Sequence, residues 1–90
     1  LLVPFVVGCG PEAKNPPPAP APVVESVDGL VRRVTEAFDR GDYDAVVRDA
    51  DEVLRREPNR VDVLVTRGAA HRLRYDYAAA LRDLDAAVAL

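Results

Sequence analysis

Residues 27–56 read VDGLVRRVTEAFDRGDYDAVVRDADEVLRR, and residues 61–90 read VDVLVTRGAAHRLRYDYAAALRDLDAAVAL. Aligned without a gap at an offset of 34 residues, the two stretches are identical at 12 of 30 positions. These identities are Val27/Val61, Asp28/Asp62, Leu30/Leu64, Val31/Val65, Arg33/Arg67, Arg40/Arg74, Asp42/Asp76, Tyr43/Tyr77, Ala45/Ala79, Arg48/Arg82, Asp49/Asp83 and Asp51/Asp85. The body of the chain is therefore an internal repeat, and this period is typical of a unit of two helices and a tight turn.

Apolar residues in both stretches recur at the spacing of one face of an α-helix, so the pattern predicts an all-α fold of four amphipathic helices. The four stripes are Val27, Leu30, Val31, Val34 and Phe38; Val46, Val47, Ala50, Val53 and Leu54; Leu64, Val65, Gly68 and Leu73; and Ala80, Leu81, Leu84, Ala87 and Val88. Charges of both signs are interspersed between the stripes, which indicates solvated helix faces.

Helix boundaries follow from the residues between the stripes. Ser26 and Asn59 are predicted N-caps, because a short side-chain oxygen can accept from the free amides of a first turn. Gly41 suits a left-handed turn between the first two helices, and Pro58 is expected to end the second helix. Tyr75 stands where the second unit would need the same turn, and a left-handed backbone there costs about 1–2 kcal/mol.

The body resembles the tetratricopeptide repeat (TPR) family over residues 27–90. The residues that carry the resemblance are Gly41, Asp42, Tyr43, Val46, Ala50, Val53, Pro58, Gly68, Tyr77, Ala80 and Ala87. The resemblance implies a solenoid of two antiparallel helix-turn-helix repeats, 27–60 and 61–90, in which the small residues allow close helix packing. The sequence departs from the family in its first helices: Leu30 and Leu64 replace a Trp, Arg33 and Arg67 a Leu, and Ala37 and His71 a Tyr.

The same resemblance implies that the first helices of the repeats line a concave groove for extended peptides or partner helices. The groove candidates are Arg32, Thr35, Phe38, Thr66, Ala69 and Arg72. The alternative is that these residues are ordinary helix surface. Val31, Thr35 and Thr66 stand where one subgroup has a Lys/Asn clamp for terminal carboxylates, so chaperone tails are not the predicted ligand.

A lipid-attachment motif is the main feature before the body. Val6-Val7-Gly8-Cys9 resembles a bacterial lipobox, after an apolar head that is too short to span a bilayer. The resemblance implies that residues 1–8 are the end of a secretory signal, that Cys9 is lipidated, and that Gly10 after it favours the outer membrane. The alternative is that Cys9 is a small buried residue closing an apolar strand.

Residues 9–26 hold the lipidation site and a Pro-rich linker. Prolines 11, 16, 17, 18, 20 and 22 favour extended polyproline II, so the 16 residues from Gly10 to Glu25 would reach about 50 Å. We expect this segment to be a spacer that lifts the body from a membrane. A ligand for an SH3-like domain at Pro16 to Pro22 is the competing interpretation.

Little in the sequence points to chemistry. The net charge is −3 and the pI is about 5.0, which does not favour nucleic-acid binding. His71 is the only histidine and is interpreted as a packing residue, so the chain alone offers no His–His metal site or catalytic triad. Asp42/Asp44, Asp49/Asp51 and Asp83/Asp85 are interpreted as solvated charge, with Asp51 and Glu52 in ion-pair spacing to Arg55 and Arg56. No cofactor, metal or small-molecule substrate is predicted.

The sequence therefore predicts a non-enzymatic, lipid-anchored TPR scaffold or adaptor that binds other proteins or peptides. It is expected in the bacterial cell envelope, on the periplasmic face of the outer membrane. The sequence contains no Met, and two repeats make a small core, so we expect a segment of a longer protein with further repeats or a capping helix. The alternative is the docking domain of a larger enzyme whose catalytic part lies beyond residue 90.

Overall fold

The computed structural model describes residues 25–90, and these residues form four α-helices and no β-strand. The helices are α1 (Val27–Asp39), α2 (Tyr43–Arg56), α3 (Val61–Leu73) and α4 (Tyr77–Ala89). The predicted all-α class is thus confirmed for this part of the chain. The predicted signal, Cys9 and the linker up to residue 24 lie outside the described residues.

Each half of the internal repeat forms one helical hairpin. Helix α1 packs against α2 to form unit 1, and α3 packs against α4 to form unit 2. Helix α2 also packs on α3, and α1 has a smaller contact with α3. The two first helices, α1 and α3, are therefore neighbours, and α2 is covered on one side by α1 and on another by α3.

Three of the four helices begin with a side-chain cap. The Ser26 hydroxyl accepts from the Gly29 amide at 3.0 Å, as predicted. In the two second helices, the Asp42 carboxylate accepts from the Ala45 amide at 3.2 Å and the Asp76 carboxylate from the Ala79 amide at 3.3 Å. These bonds satisfy amides that a helix start leaves without partners.

The predicted N-cap at Asn59 was wrong. The N-cap position of α3 is Arg60, whose side chain makes no capping bond, and Asn59 lies in the exposed turn before it. Acceptor groups come instead from Asp62 in the first helical turn, which accepts from its neighbouring Val63 amide at 2.9 Å and binds the Arg60 guanidinium at 2.9 Å. Asp62, within the first turn of α3, thus takes the place of a capping side chain before the helix. Helix α2 ends at Arg56, two residues before Pro58, as expected.

The turn within each unit has the same backbone geometry. Gly41 has a φ of 79° and Tyr75 a φ of 65°, so both residues lie in the left-handed region. The following amides close equivalent bonds, from Asp42 to the Ala37 carbonyl at 2.9 Å and from Asp76 to the His71 carbonyl at 2.8 Å. A tyrosine therefore holds a conformation in unit 2 that glycine adopts without steric cost in unit 1.

Substitutions at the two turn positions, Tyr75 and Gly41, should change the free energy of unfolding in opposite directions. We expect Tyr75→Gly to raise the free energy of unfolding by about 0.5–1 kcal/mol, because the left-handed backbone loses its Cβ clash. Gly41→Ala should lower the free energy of unfolding by about 1 kcal/mol, because it adds a Cβ to a left-handed backbone. This cost arises within the backbone, since no other atom lies within 4 Å of the added Cβ. Urea unfolding followed by circular dichroism measures both. Two changes of the same sign would contradict the explanation.

The core is concentrated in unit 1 and at the contact between α2 and α3. Its buried members are Leu30, Val34, Ala37, Ala45, Val46, Ala50, Val53, Leu54, Val63, Leu64 and Ala70. Two members of the predicted stripe on α4 are exposed instead, Leu81 at 60% and Val88 at 88%, and so are two members of the stripe on α3, Val65 at 44% and Leu73 at 36%. The unit 1 counterparts of Leu81, Val88 and Val65 are buried or packed against the core, whereas no helix within residues 25–90 covers this side of unit 2.

Candidate binding surface

The six groove candidates occupy three equivalent positions on the neighbouring helices α1 and α3. Offset by 34 residues, they pair as Arg32/Thr66, Thr35/Ala69 and Phe38/Arg72. Arg32, Thr35 and Arg72 are exposed, whereas Phe38, Thr66 and Ala69 are partly buried. The contact between α1 and α3 brings the two sets to one side of the molecule. We call these six residues the groove face.

Two arginines on the groove face have no ionic partner among residues 25–90. Eight other arginines in this part of the chain form ion pairs; they are Arg33, Arg40, Arg48, Arg55, Arg56, Arg60, Arg67 and Arg74. Arg32 and Arg72 form none, and Arg82 on α4 shares this property. A guanidinium without an internal partner keeps all its donors for a ligand, and it suits carboxylates in particular.

The other groove residues offer short polar and apolar contacts. The Thr35 hydroxyl donates to the Val31 carbonyl at 3.2 Å, and the Thr66 hydroxyl donates to the Asp62 carbonyl at 2.9 Å. Each hydroxyl oxygen remains able to accept a bond. The Phe38 ring packs against the core and meets Tyr43 edge to face, with ring centroids 5.6 Å apart. Phe38 therefore contributes to packing as well as to this surface.

Equivalent ion pairs join the two helices of each unit. In unit 1, Arg33 Nη2 lies 3.0 Å from Asp49 Oδ1. In unit 2, Arg67 makes two bonds to Asp83, from Nε at 2.8 Å and from Nη2 at 2.6 Å. Both aspartate side chains are only 7% exposed. The interpretation of Asp49 and Asp83 as solvated charge was therefore wrong, because both face the first helix of their own unit.

Arg67 also joins the two units to each other. Its Nη1 atom lies 2.7 Å from Asp51 Oδ1 on α2, so one guanidinium contacts helices α2 and α4 while belonging to α3. The hydrogen bond to Asp83 is the main reason that the pKa of Arg67 is raised, against the effect of burial. Arg33 has a similar second partner, since it pairs with Glu25 just before α1.

Of the two ion pairs that the sequence spacing predicted on α2, one forms and the other does not. Glu52 accepts from Arg56 Nε at 2.6 Å and also binds Arg55, so the predicted pairing of Glu52 with Arg56 is confirmed. These two hydrogen bonds, Arg55 first, lower the pKa of Glu52 to about 2. Asp51 does not pair with Arg55, because its carboxylate binds Arg67 of α3.

His71 lies partly buried between two acidic residues. Its Nε2 is 3.8 Å from Asp83 Oδ2 and its Nδ1 is 4.0 Å from Asp76 Oδ2, so neither contact is a hydrogen bond. The buried Nδ1 has no hydrogen-bond partner. Within residues 25–90, no group of three or more His, Cys, Asp and Glu side chains could hold a metal ion.

The remaining residues of the TPR pattern mostly lie at helix contacts. Ala80 is buried, Tyr43 and Ala87 are partly buried, and Tyr77 is 57% exposed. Gly68 is buried on α3, where an added Cβ would come within 3.1 Å of Leu84 on α4. Gly41 and Pro58 lie in turns. The ion pairs of Arg33 and Arg67 were not predicted from the sequence, although these arginines and their aspartates are among the identical positions of the repeat.

Comparisons of the chain with protein-family models, with curated proteins and with solved structures give no match. In the described part of the chain, residues 25–90, no helix is long and apolar enough to cross a membrane.

Proposed function

We propose that this chain is a lipid-anchored TPR adaptor that binds another protein through the groove face. The observation that carries the proposal is that α1 and α3 lie side by side and present equivalent positions, and that Arg32 and Arg72 on them have no ionic partner among residues 25–90. Protein-binding helical repeats use neighbouring helices in this way to build one extended surface. The proposal includes no catalytic step.

The groove face favours a ligand with carboxylates separated by a short apolar or neutral segment. Arg32 belongs to α1 and Arg72 to the end of α3, and the same two helices carry Thr35, Thr66 and Ala69. Bidentate bonds from the guanidinium groups would orient the acidic groups of the ligand. The small side chains of Thr35, Thr66 and Ala69 would allow the ligand backbone to approach both helices. An extended acidic peptide or a partner helix with acidic residues fits this arrangement.

The proposed anchor is a lipid on Cys9. One acyl chain binds a membrane only marginally, whereas the two or more chains of a bacterial lipoprotein would hold the body stably. The Pro-rich linker would then place the groove face up to about 50 Å from the lipid surface. The proposed location is the cell envelope of a bacterium, on the periplasmic side of the outer membrane.

Cys9→Ser should release the protein from the membrane fraction. After expression in bacteria with a complete signal sequence, we expect the unchanged protein to sediment with membranes and to carry the mass of its acyl groups. The variant should lack that mass and appear in the soluble fraction, because serine cannot accept the thioether-linked lipid. Intact-mass analysis and carbonate extraction measure the two effects. A variant that remained in the membrane fraction would refute the anchor.

Photo-crosslinking tests the groove face separately from the anchor. A benzophenone amino acid at Thr35 or Ala69 should capture a discrete partner in cells, and Arg32→Glu with Arg72→Glu should reduce the adduct about tenfold by reversing both charges. Arg48, on the exposed side of α2, is the matched control position. Equal adducts from Arg48 and from the groove positions would refute a specific groove, as would a yield unchanged by the two charge reversals.

A further inference from the structure

The turn of unit 2 exposes apolar side chains at positions where unit 1 has an acid and a glycine. Leu73 is 36% exposed and Tyr75 is 79% exposed. Their counterparts 34 residues earlier are Asp39 and Gly41. We call Leu73, Arg74 and Tyr75 the turn tip. The two turns therefore have the same backbone conformation but different exposed side chains.

A further repeat after α4 would leave the turn tip exposed. In unit 1, the next hairpin packs directly on α2 and α1, yet the corresponding residues 39–41 are all exposed. A Cβ added at Gly41 would meet no atom within 4 Å. The exposed large hydrophobic residues of α4 differ in this respect, because their counterparts in unit 1 belong to the core or pack against it. The exposure of Leu73 and Tyr75 is therefore a property of the turn itself.

Tyr75 combines this exposure with a strained backbone. Its φ is 65°, in the left-handed region where the Cβ of an ordinary residue clashes with the backbone. The ring meets Tyr77 edge to face, with centroids 6.4 Å apart, but it stays 79% exposed, so little apolar area is buried to offset the strain. Strained residues of this kind cluster where proteins contact ligands. Contact with a ligand thus explains Tyr75 better than the stability of the fold does.

The turn tip adjoins the groove face at Arg72. Leu73 follows Arg72 at the end of α3, and the Tyr75 amide donates to the Arg72 carbonyl at 2.9 Å. Arg72 has no ionic partner among residues 25–90, whereas Arg74 is held by Asp44 at 3.0 Å. A cation available to a ligand and two exposed apolar side chains therefore lie within residues 72–75.

We propose that the turn tip binds an apolar side chain of the same protein ligand whose acidic groups bind the groove face. The ligand is an acidic segment with an aromatic or large aliphatic residue just beyond the carboxylate that pairs with Arg72. Tyr75 and Leu73 bury that apolar side chain, and the bidentate bonds of Arg72 fix its register. This inference rests on the proposed function of the groove face and narrows the class of its ligand.

The charge of the neighbouring turn favours a protein segment over a lipid surface as the ligand. The turn of unit 1 exposes three aspartates, Asp39, Asp42 and Asp44, and one arginine, Arg40. The bond from Arg74 to Asp44 places the two turns beside each other. An anionic lipid surface would meet both turns and be repelled by the aspartates, whereas one side chain of a peptide contacts the turn tip alone.

Peptides selected from a displayed random library against the 90-residue chain are the probe for this site. We expect the enriched peptides to combine acidic residues with an aromatic or large aliphatic residue. They should bind Tyr75→Gly about fivefold more weakly in fluorescence anisotropy, because the variant lacks the ring. Tyr75→Phe keeps the ring and should retain the affinity. Since Tyr75→Gly also relieves the strained backbone and should be more stable, unfolding could not explain its weaker binding.

Two serine variants on α3 test the apolar contact. Leu73→Ser should weaken binding about threefold, because it removes one side of the proposed contact. Val65→Ser is the matched control, since Val65 is also an exposed apolar residue of α3 but lies two helical turns before the turn tip. Its affinity should be unchanged. Equal losses from Leu73→Ser and Val65→Ser would overturn the turn tip as the contact.

Arg72→Glu separates this inference from the proposed function. Peptides that lose affinity with Arg72→Glu but bind Tyr75→Gly as tightly as the unchanged chain would overturn the turn tip and leave the groove face in place. A selection without enrichment, or peptides indifferent to both substitutions, would contradict both proposals. Binding of the Cys9→Ser chain to phosphatidylglycerol vesicles that Tyr75→Gly abolishes would also overturn the inference, because it would assign the turn tip to a lipid surface.

Discussion

Replacing Arg67 by leucine is expected to lower the free energy of unfolding by about 3 kcal/mol, because it leaves a buried carboxylate without its cation. The Asp83 side chain is 7% exposed and receives two hydrogen bonds from Arg67. His71 Nε2, at 3.8 Å, is too distant to replace them. The substitution also breaks the bond to Asp51 that joins the units. Urea unfolding followed by circular dichroism at 222 nm measures the loss.

Two further variants separate the buried charge from the loss of side-chain volume. Arg67→Leu combined with Asp83→Ala should recover at least half of the lost stability, since removing both charges of a buried pair is far less costly than removing one. Arg33→Leu should cost only about 1 kcal/mol, because Arg33 is 45% exposed and Asp49 retains Arg48 at 3.3 Å. Because Asp49 and Asp83 are equally buried, equal losses from Arg33→Leu and Arg67→Leu would show that the second cation beside Asp49, Arg48, does not limit the loss.

Gly68→Val should destabilise the protein by about 2–3 kcal/mol through overpacking between α3 and α4. An added Cβ would lie 3.1 Å from both Cγ and Cδ2 of Leu84 and 3.3 Å from the Asp83 Cβ. Valine adds two methyl groups beyond that atom, so α4 has to move away from α3. Because Asp83 belongs to the same contact, the substitution should also lengthen its bonds to Arg67.

Ala69→Val is the control for Gly68→Val, since it places the same β-branched residue on the same helix at a partly exposed position. We expect a loss below about 1 kcal/mol, the size of a difference in helix propensity. Thermal unfolding of both variants under identical conditions gives the comparison. If Ala69→Val were as damaging as Gly68→Val, helix propensity and not the close approach to Leu84 would explain the result.

The helices were predictable because each follows from local properties of the sequence. The apolar spacing predicted four helices, and the bonds of Ser26 and the left-handed turn at Gly41 depend only on near neighbours. Asn59 failed as a cap because the choice between it and Asp62 depends on where the chain leaves α2 and enters α3. The path of the chain between α2 and α3 is fixed by tertiary packing, so the spacing of residues along one helix could not predict it.

Contacts between units were less predictable for the same reason. The periodicity places Val88 and Leu54 in equivalent stripes, but only Leu54 is covered, since exposure depends on a neighbouring unit. Asp49 and Asp83 resemble ordinary helix charges in sequence, and their burial becomes clear only when α1 and α3 bring an arginine to them. Their identity in both halves of the repeat was the available signal. The groove face and the lipid anchor remain predictions.

The bonds of Glu25 determine how a mechanical load would enter the body. If Cys9 carries a lipid, any pull between the membrane and a bound partner reaches the helices through Glu25. Its carboxylate is held by Arg33 of α1, and its carbonyl by Arg56 at the end of α2. The force is therefore shared between both helices of unit 1 at once. A tether attached to α1 alone would load that helix first, whereas the Glu25 contacts also connect the attachment point to the end of α2.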